Sequence, residues 1–215
     1  MQKTILTAFL FSAIAGPAVA EIELSFYGGA QNAPHSDVIF DGDDVIPDGD
    51  YFIGWEGRPF DAPPYYGIRA TIWSSPTIGY GLDFVHNKIY PQDGELPDGF
   101  DRLEFTDGLN LLTFNAYKRW PNEWGALTPY MGGGLGISVP YVEVRYGTSN
   151  TESYQFTGPA ATWLGGVRYQ FDDNWSVFTE YKGTYSMNLG DLDTGGTIET
   201  NVVTNAINIG VNYRF

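Results

Sequence analysis

Cysteine is absent from this chain, which excludes disulfides, thiolate metal ligands and cysteine nucleophiles. A chain without thiols has no redox preference, so the absence leaves its compartment open. Basic residues are scarce as well: 11 Lys and Arg stand against 26 Asp and Glu, a formal charge of −15. Nucleic-acid phosphates repel such a surface, so a nucleic-acid partner is excluded. Histidine occurs only at His35 and His86, so imidazole chemistry has two places to start. No Gly-x-Ser-x-Gly elbow, dinucleotide fingerprint or haem-attachment motif is present.

What is present begins with "MQKTILTAFLFSAIAGPAVA". One basic residue, Lys3, precedes an apolar run from Ile5, and Ala18-Val19-Ala20 gives a small-residue exit, so residues 1–20 read as a secretory signal peptide. Gly16 and Pro17 argue against a single spanning helix. The mature chain is expected to run as one domain over residues 21–215.

That mature part alternates. At its end, Val203, Ile207, Ile209, Val211, Tyr213 and Phe215 share one parity, while Thr204, Ala206, Asn208, Gly210, Asn212 and Arg214 share the other. A strand sends successive side chains to opposite faces, so one face is apolar and the other polar. The same period of two recurs over 21–31, 65–73, 78–84, 109–118, 128–140, 160–171 and 177–181, which with the terminal strand makes eight. Aromatic residues form 16% of the chain, enough for interfacial girdles. Only a closed barrel crosses a bilayer without an unpaired edge, so the expected fold is an all-β, eight-stranded antiparallel up-and-down transmembrane β-barrel. A secreted soluble sandwich or lipocalin-like barrel is the alternative.

Connection lengths orient the barrel. "SSPT", "PNEWGA" and "DDNW" are short, whereas 32–64, 87–108, 140–159 and 186–201 are long and are expected as loops outside the cell. Arg69, Asp83, Arg168, Glu180, Lys182 and Arg214 carry the inward parity and are expected to pair across a narrow lumen. Gly132, Gly134 and Gly136 also point inward, where bulky neighbours need room.

Function is expected at the loop bases. The six Asp of "PHSDVIFDGDDVIPDGD" do not match an EF-hand and read as a solvated acidic loop. His35 and His86 lie near the outer strand ends, with Asp37, Glu104 and Asp107 as carboxylate companions that could orient a base or complete a metal site. Parity points His86 outward and, unless a bulge intervenes, His35 inward.

The segments "IGWEGRPF", "APHSDV" and "RLEFTDG", none of which strand physics requires, together with "GLDFVHNKIY" and "INIGVNYRF", resemble the alphaproteobacterial outer-membrane proteins identified as lipid A oxidases. The resemblance implies oxygen-dependent oxidation of the proximal glucosamine of lipid A to 2-aminogluconate, with a divalent metal ion assisting. It also implies lipopolysaccharide as substrate, the barrel-assembly machinery as a partner in biogenesis, and a monomer in the outer membrane. For that chemistry the candidate catalytic residues are His35, His86 and Asp107, the candidate metal ligands are Asp37 and Glu104, and Trp55, Glu56 and Arg58 would contact the sugar or its phosphate. A non-enzymatic OmpA-like or OmpX-like barrel and a lipid A deacylase are the other readings, although "VHNK" departs from the His-x-Ser-Asn arrangement of the deacylase.

Overall fold

The computed structural model describes residues 21–121 and 123–215, so the expected signal peptide lies outside the described residues. Eight strands carry the architecture: β1 (Glu21–Asn32), β5 (Tyr66–Trp73), β6 (Ile78–Pro91), β7 (Phe100–Arg119), β8 (Leu127–Ser138), β11 (Gly158–Gln170), β12 (Trp175–Asp191) and β13 (Thr197–Arg214). Each pairs antiparallel with the next, and β13 pairs with both β12 and β1. The hydrogen-bonded ring is therefore closed, and the barrel has no free edge.

The alternation sets inside and outside as expected. Phe26, Ile68, Leu82, Phe114, Leu135 and Ile209 face out and are exposed, with Leu135 at 74% and Ile209 at 71%. A belt of this kind belongs in hydrocarbon. On β8 the exposed face from Leu127 to Ile137 rises about 34 Å at roughly 3.4 Å per residue, or about 26 Å along the axis at a tilt of ~40°, which matches the ~25 Å apolar band of a membrane barrel. Aromatic residues cluster at the short-turn end, where Tyr213 packs against Trp175 and Phe215.

Within the belt the lumen is filled with paired charge. Asp83 accepts from the Tyr27 hydroxyl at 2.7 Å, from Arg69 Nε at 2.9 Å and from Lys182 Nζ at 2.9 Å. Arg69 also holds both oxygens of Glu180 at 2.7 and 3.1 Å, and the Tyr130 hydroxyl donates to Glu180 at 2.7 Å. Arg168 pairs with Glu23, and Arg119 pairs with Glu21 at 3.0 Å while lying over Trp73. The inward glycines make this crowding possible: a Cβ on Gly132 would sit 2.5 Å from the Tyr117 ring, and one on Gly67 would sit 2.0 Å from Tyr27. Among Trp73, Tyr117, Arg119 and Arg168 lies a cavity of about 20 Å³, room for a single water.

The long connections depart from the expectation of loops. β6 continues to Pro91, β7 begins at Phe100, β12 reaches Asp191 and β13 starts at Thr197, so four strands project beyond the belt. The acidic "loop" is the hairpin β2 (Ser36–Asp41) and β3 (Gly49–Ile53), paired to β13. Asp43 closes its turn by accepting from the backbone of Val45 and Ile46, and it also receives the Thr194 hydroxyl at 2.6 Å from the neighbouring connection. Those bonds favour its charged form and hold its carboxyl below the ordinary value. A second hairpin, β9 (Tyr141–Tyr146) and β10 (Ser149–Tyr154), pairs with the upper part of β7. The two-residue strand β4 (Trp55–Glu56) pairs with the end of β6.

These extensions enclose a second core. Val38, Phe40, Ile53, Trp55, Ile89, Leu103, Phe105, Val142, Val144 and Ile198 are buried together above the polar lumen. The cap is a packed continuation of the barrel, apolar inside and polar outside, the inverse of the belt below it.

Candidate functional site

The upper rim carries all eight residues singled out from the sequence, distributed over separate flanks. His86 pairs with Tyr66 and Asn110 in register, one step above the belt residue Phe84. It points outward as expected, yet it is buried: its ring stacks on Tyr66 at 5.2 Å and its Nδ1 lies 2.8 Å from Asn110 Oδ1. Its Nε2 is enclosed without a hydrogen-bond partner.

His35 meets the exception to its inward parity. Residues 33–35 leave strand geometry between β1 and β2, which resets the parity, and His35 sits exposed with its ring stacked on Phe52 at 5.2 Å. It shares an open cleft of about 310 Å³ with Asp37, Ile39, Phe52 and Glu199 on the outer face of β2, β3 and β13.

Trp55 is part of the core, its indole donating to Ser36 Oγ at 2.8 Å while its carbonyl accepts from Gln92. That fixes β4 in the barrel wall and leaves no free indole face for a sugar. Glu56 and Arg58 form an exposed ion pair, and the Arg58 guanidinium lies 4.5 Å from the centre of the Tyr90 ring. Glu104 lies opposite Glu143 across β7 and β9, with Arg102 reaching both at 3.3 and 2.8 Å. Burial and then the Glu143 charge push its carboxyl above the ordinary range. Asp107 is exposed, and its backbone carbonyl receives the Tyr154 hydroxyl at 3.0 Å.

Five of the eight thus lie along one flank formed by β4, β6 and the top of β7: Glu56, Arg58, His86, Glu104 and Asp107. His35 and Asp37 lie on the adjoining β2–β3 hairpin, between β13 and β4, where Ser36 Oγ accepts from the Trp55 indole. Asp37 pairs with Phe52 within that hairpin and Glu104 pairs with Glu143 on β9, and both face away from the axis. Among the described residues no group of three His, Asp or Glu side chains converges as metal ligands. The residues present therefore do not fit a protein-held divalent metal.

Sequence reasoning missed the cap core and Lys88. This lysine is fully buried on the outward side of β6, and its ammonium donates to the Asp61 carbonyl at 3.0 Å. It sits inside the resembling segment "GLDFVHNKIY", but no periodicity distinguished it from a solvated rim residue.

No family model matches this sequence, and no curated protein matches it either. The fold has solved counterparts. OprG, an outer membrane protein from Pseudomonas aeruginosa, superposes with a TM-score of 0.55 at 12% identity, over 93% of this chain and 98% of that one. Neisserial surface protein A (NspA) superposes with a TM-score of 0.50 at 17% identity, over 91% and 97%. The fold is that of the small outer-membrane barrels. At such identities the likeness extends to the fold alone.

Proposed function

We propose that this chain is an outer-membrane barrel that works through its ordered, acidic cap, as a structural or surface-interaction protein. The observation that carries this reading is the filled interior. Paired charges occupy the belt section and an apolar core occupies the section above, and among the described residues no group of metal-ligating side chains converges. The outer-membrane setting rests on the apolar belt, the closed ring and the fold shared with OprG and NspA. In that setting the short turns lie in the periplasm and the cap lies outside the cell.

Oxidation of lipid A is the second reading, favoured by one observation. The unpartnered Nε2 of His86 lies just above the belt on the flank that also holds Arg58, Glu56 and Glu104, at the height of a lipid A headgroup. Once the packing over Nε2 opens, a neutral imidazole there could accept the proton of the sugar C1 hydroxyl while the C1 hydride passes to dioxygen, which leaves as peroxide, and Arg58 holds a phosphate. Mass spectrometry of lipid A incubated under air with the refolded barrel, with and without added divalent metal or chelator, separates the two. An unchanged mass supports the structural reading. A net gain of one oxygen atom with release of peroxide, abolished in His86→Ala, would establish the oxidase instead, and loss of an acyl chain would point to a deacylase.

A further inference from the structure

We propose that residues 57–64 form an interfacial anchor that seats on the outer lipid leaflet, with Phe60 entering the boundary between headgroups and acyl chains. This rests on reading the chain as an outer-membrane barrel. The argument starts from a gap in the wall. β5 begins only at Tyr66, so above that level the neighbour of β6 is β4, which pairs through Trp55 with Pro91 and through Glu56 with Tyr90. β4 and β5 are two pieces of one wall position, and "GRPFDAPP" is the excursion between them.

The interior leaves the excursion one direction. Tyr65 and Trp55 at its two ends are buried in the cap core, and a Cβ on Gly57 would meet the Gln31 carbonyl at 2.3 Å. The loop therefore turns outward, and its contacts confirm that face. Arg58 packs on the outward Tyr90 ring, and the outward Lys88 ammonium holds the Asp61 carbonyl. The Tyr65 amide closes the base on the Pro59 carbonyl at 2.9 Å. At the tip Phe60 is 81% exposed, the highest value among the large apolar side chains, and Ala62, Pro63 and Pro64 are exposed beside it.

The position supplies the occupant. The register of Tyr66 with His86 and of Ile68 with Phe84 places the loop base directly above belt residues on the same two strands. An apolar tip continuous with a lipid-facing belt has lipid as its neighbour. Arg58, on a long aliphatic stem, keeps its guanidinium at the headgroup level while the tip goes deeper. Lys88 pins the loop from behind, so little ordering is left for the moment of contact.

The absence of native cysteine makes the test clean, because an introduced thiol is the only one. Single cysteines at Ala62, at Leu135 in the belt and at Thr148 on the β9–β10 turn would each carry an environment-sensitive fluorophore. The full barrel would be reconstituted in phosphatidylcholine vesicles and exposed to aqueous iodide. The proposal expects Leu135→Cys protected, Thr148→Cys freely quenched, and Ala62→Cys quenched several-fold less than Thr148→Cys, with Phe60→Asp restoring quenching at Ala62→Cys. Free quenching at Ala62→Cys with Leu135→Cys still protected would overturn the anchor and leave the barrel reading intact. Free quenching at both would overturn the membrane reading itself.

Discussion

The buried network around Asp83 makes a quantitative demand. Arg69 and Lys182 supply two positive charges, Asp83 and Glu180 two negative ones, and Asp83 is wholly buried with three donors on its carboxylate. Asp83→Asn keeps the shape and removes one charge. Arg69 retains Glu180, so the deficit falls on Lys182, left as an uncompensated buried cation with the Tyr27 hydroxyl as its remaining partner. Breaking a buried pair from one side costs about 3–5 kcal/mol. The double variant Asp83→Asn/Lys182→Met restores neutrality and should recover all but about 1–2 kcal/mol, since removing both partners of a pair is far cheaper than removing one. Equilibrium urea unfolding in lipid vesicles, followed by Trp fluorescence, reads both. A single variant that costs less than about 1 kcal/mol, or a double variant no more stable than the single, would refute the account of the lumen as a charge-balanced plug.

Three further expectations follow from the same structure. Leu135→Arg places a charge in the apolar belt and should destabilise the barrel by about 2–4 kcal/mol in vesicles, whereas an effect near zero would contradict the belt assignment. Gly67→Val drives a branched side chain into the Tyr27 ring and should cost about 1–3 kcal/mol or more in the same unfolding assay. Glu104 carries a raised carboxyl pKa, so the folded cap favours its protonated form. The resulting penalty is absent below the ordinary value of 4.5 and grows as pH rises through the folded value. Hydrogen exchange over β7 and β9 should therefore show Glu104→Gln better protected than the native protein near neutrality and equal to it in acid. Weaker protection near neutrality would mean that pairing with Arg102 outweighs burial and repulsion.

The eight strands were legible because the bilayer imposes one rule on all of them, apolar out and polar or small in, as Ile207 against Asn208 and Phe114 against Asn115 show. The cap was not legible because that rule inverts where the strand leaves the lipid. On β7 the outward residues Phe114 and Leu112 give way to inward Leu111, Leu109, Phe105 and Leu103, with Asn110 and Glu104 now outside. β13 does the same, from outward Ile209 and Ile207 to inward Val202 and Ile198. A reader following one parity sees the pattern fade and calls the remainder a loop. The lumen pairs were foreseeable in kind from inward Arg69, Asp83, Glu180 and Lys182, although their partners depend on register. The candidate rim residues fared differently, because proximity in sequence to a strand end says nothing about which of eight flanks receives it. His35, beyond the end of β1, and His86, on β6, do not meet.

The most direct test of the account is single-channel recording of the barrel in a planar bilayer. A lumen closed first by paired charge and then by an apolar core should give insertion without conductance steps. Stable ohmic openings would contradict the filled interior, and with it the conclusion that the cap is the working part of the molecule.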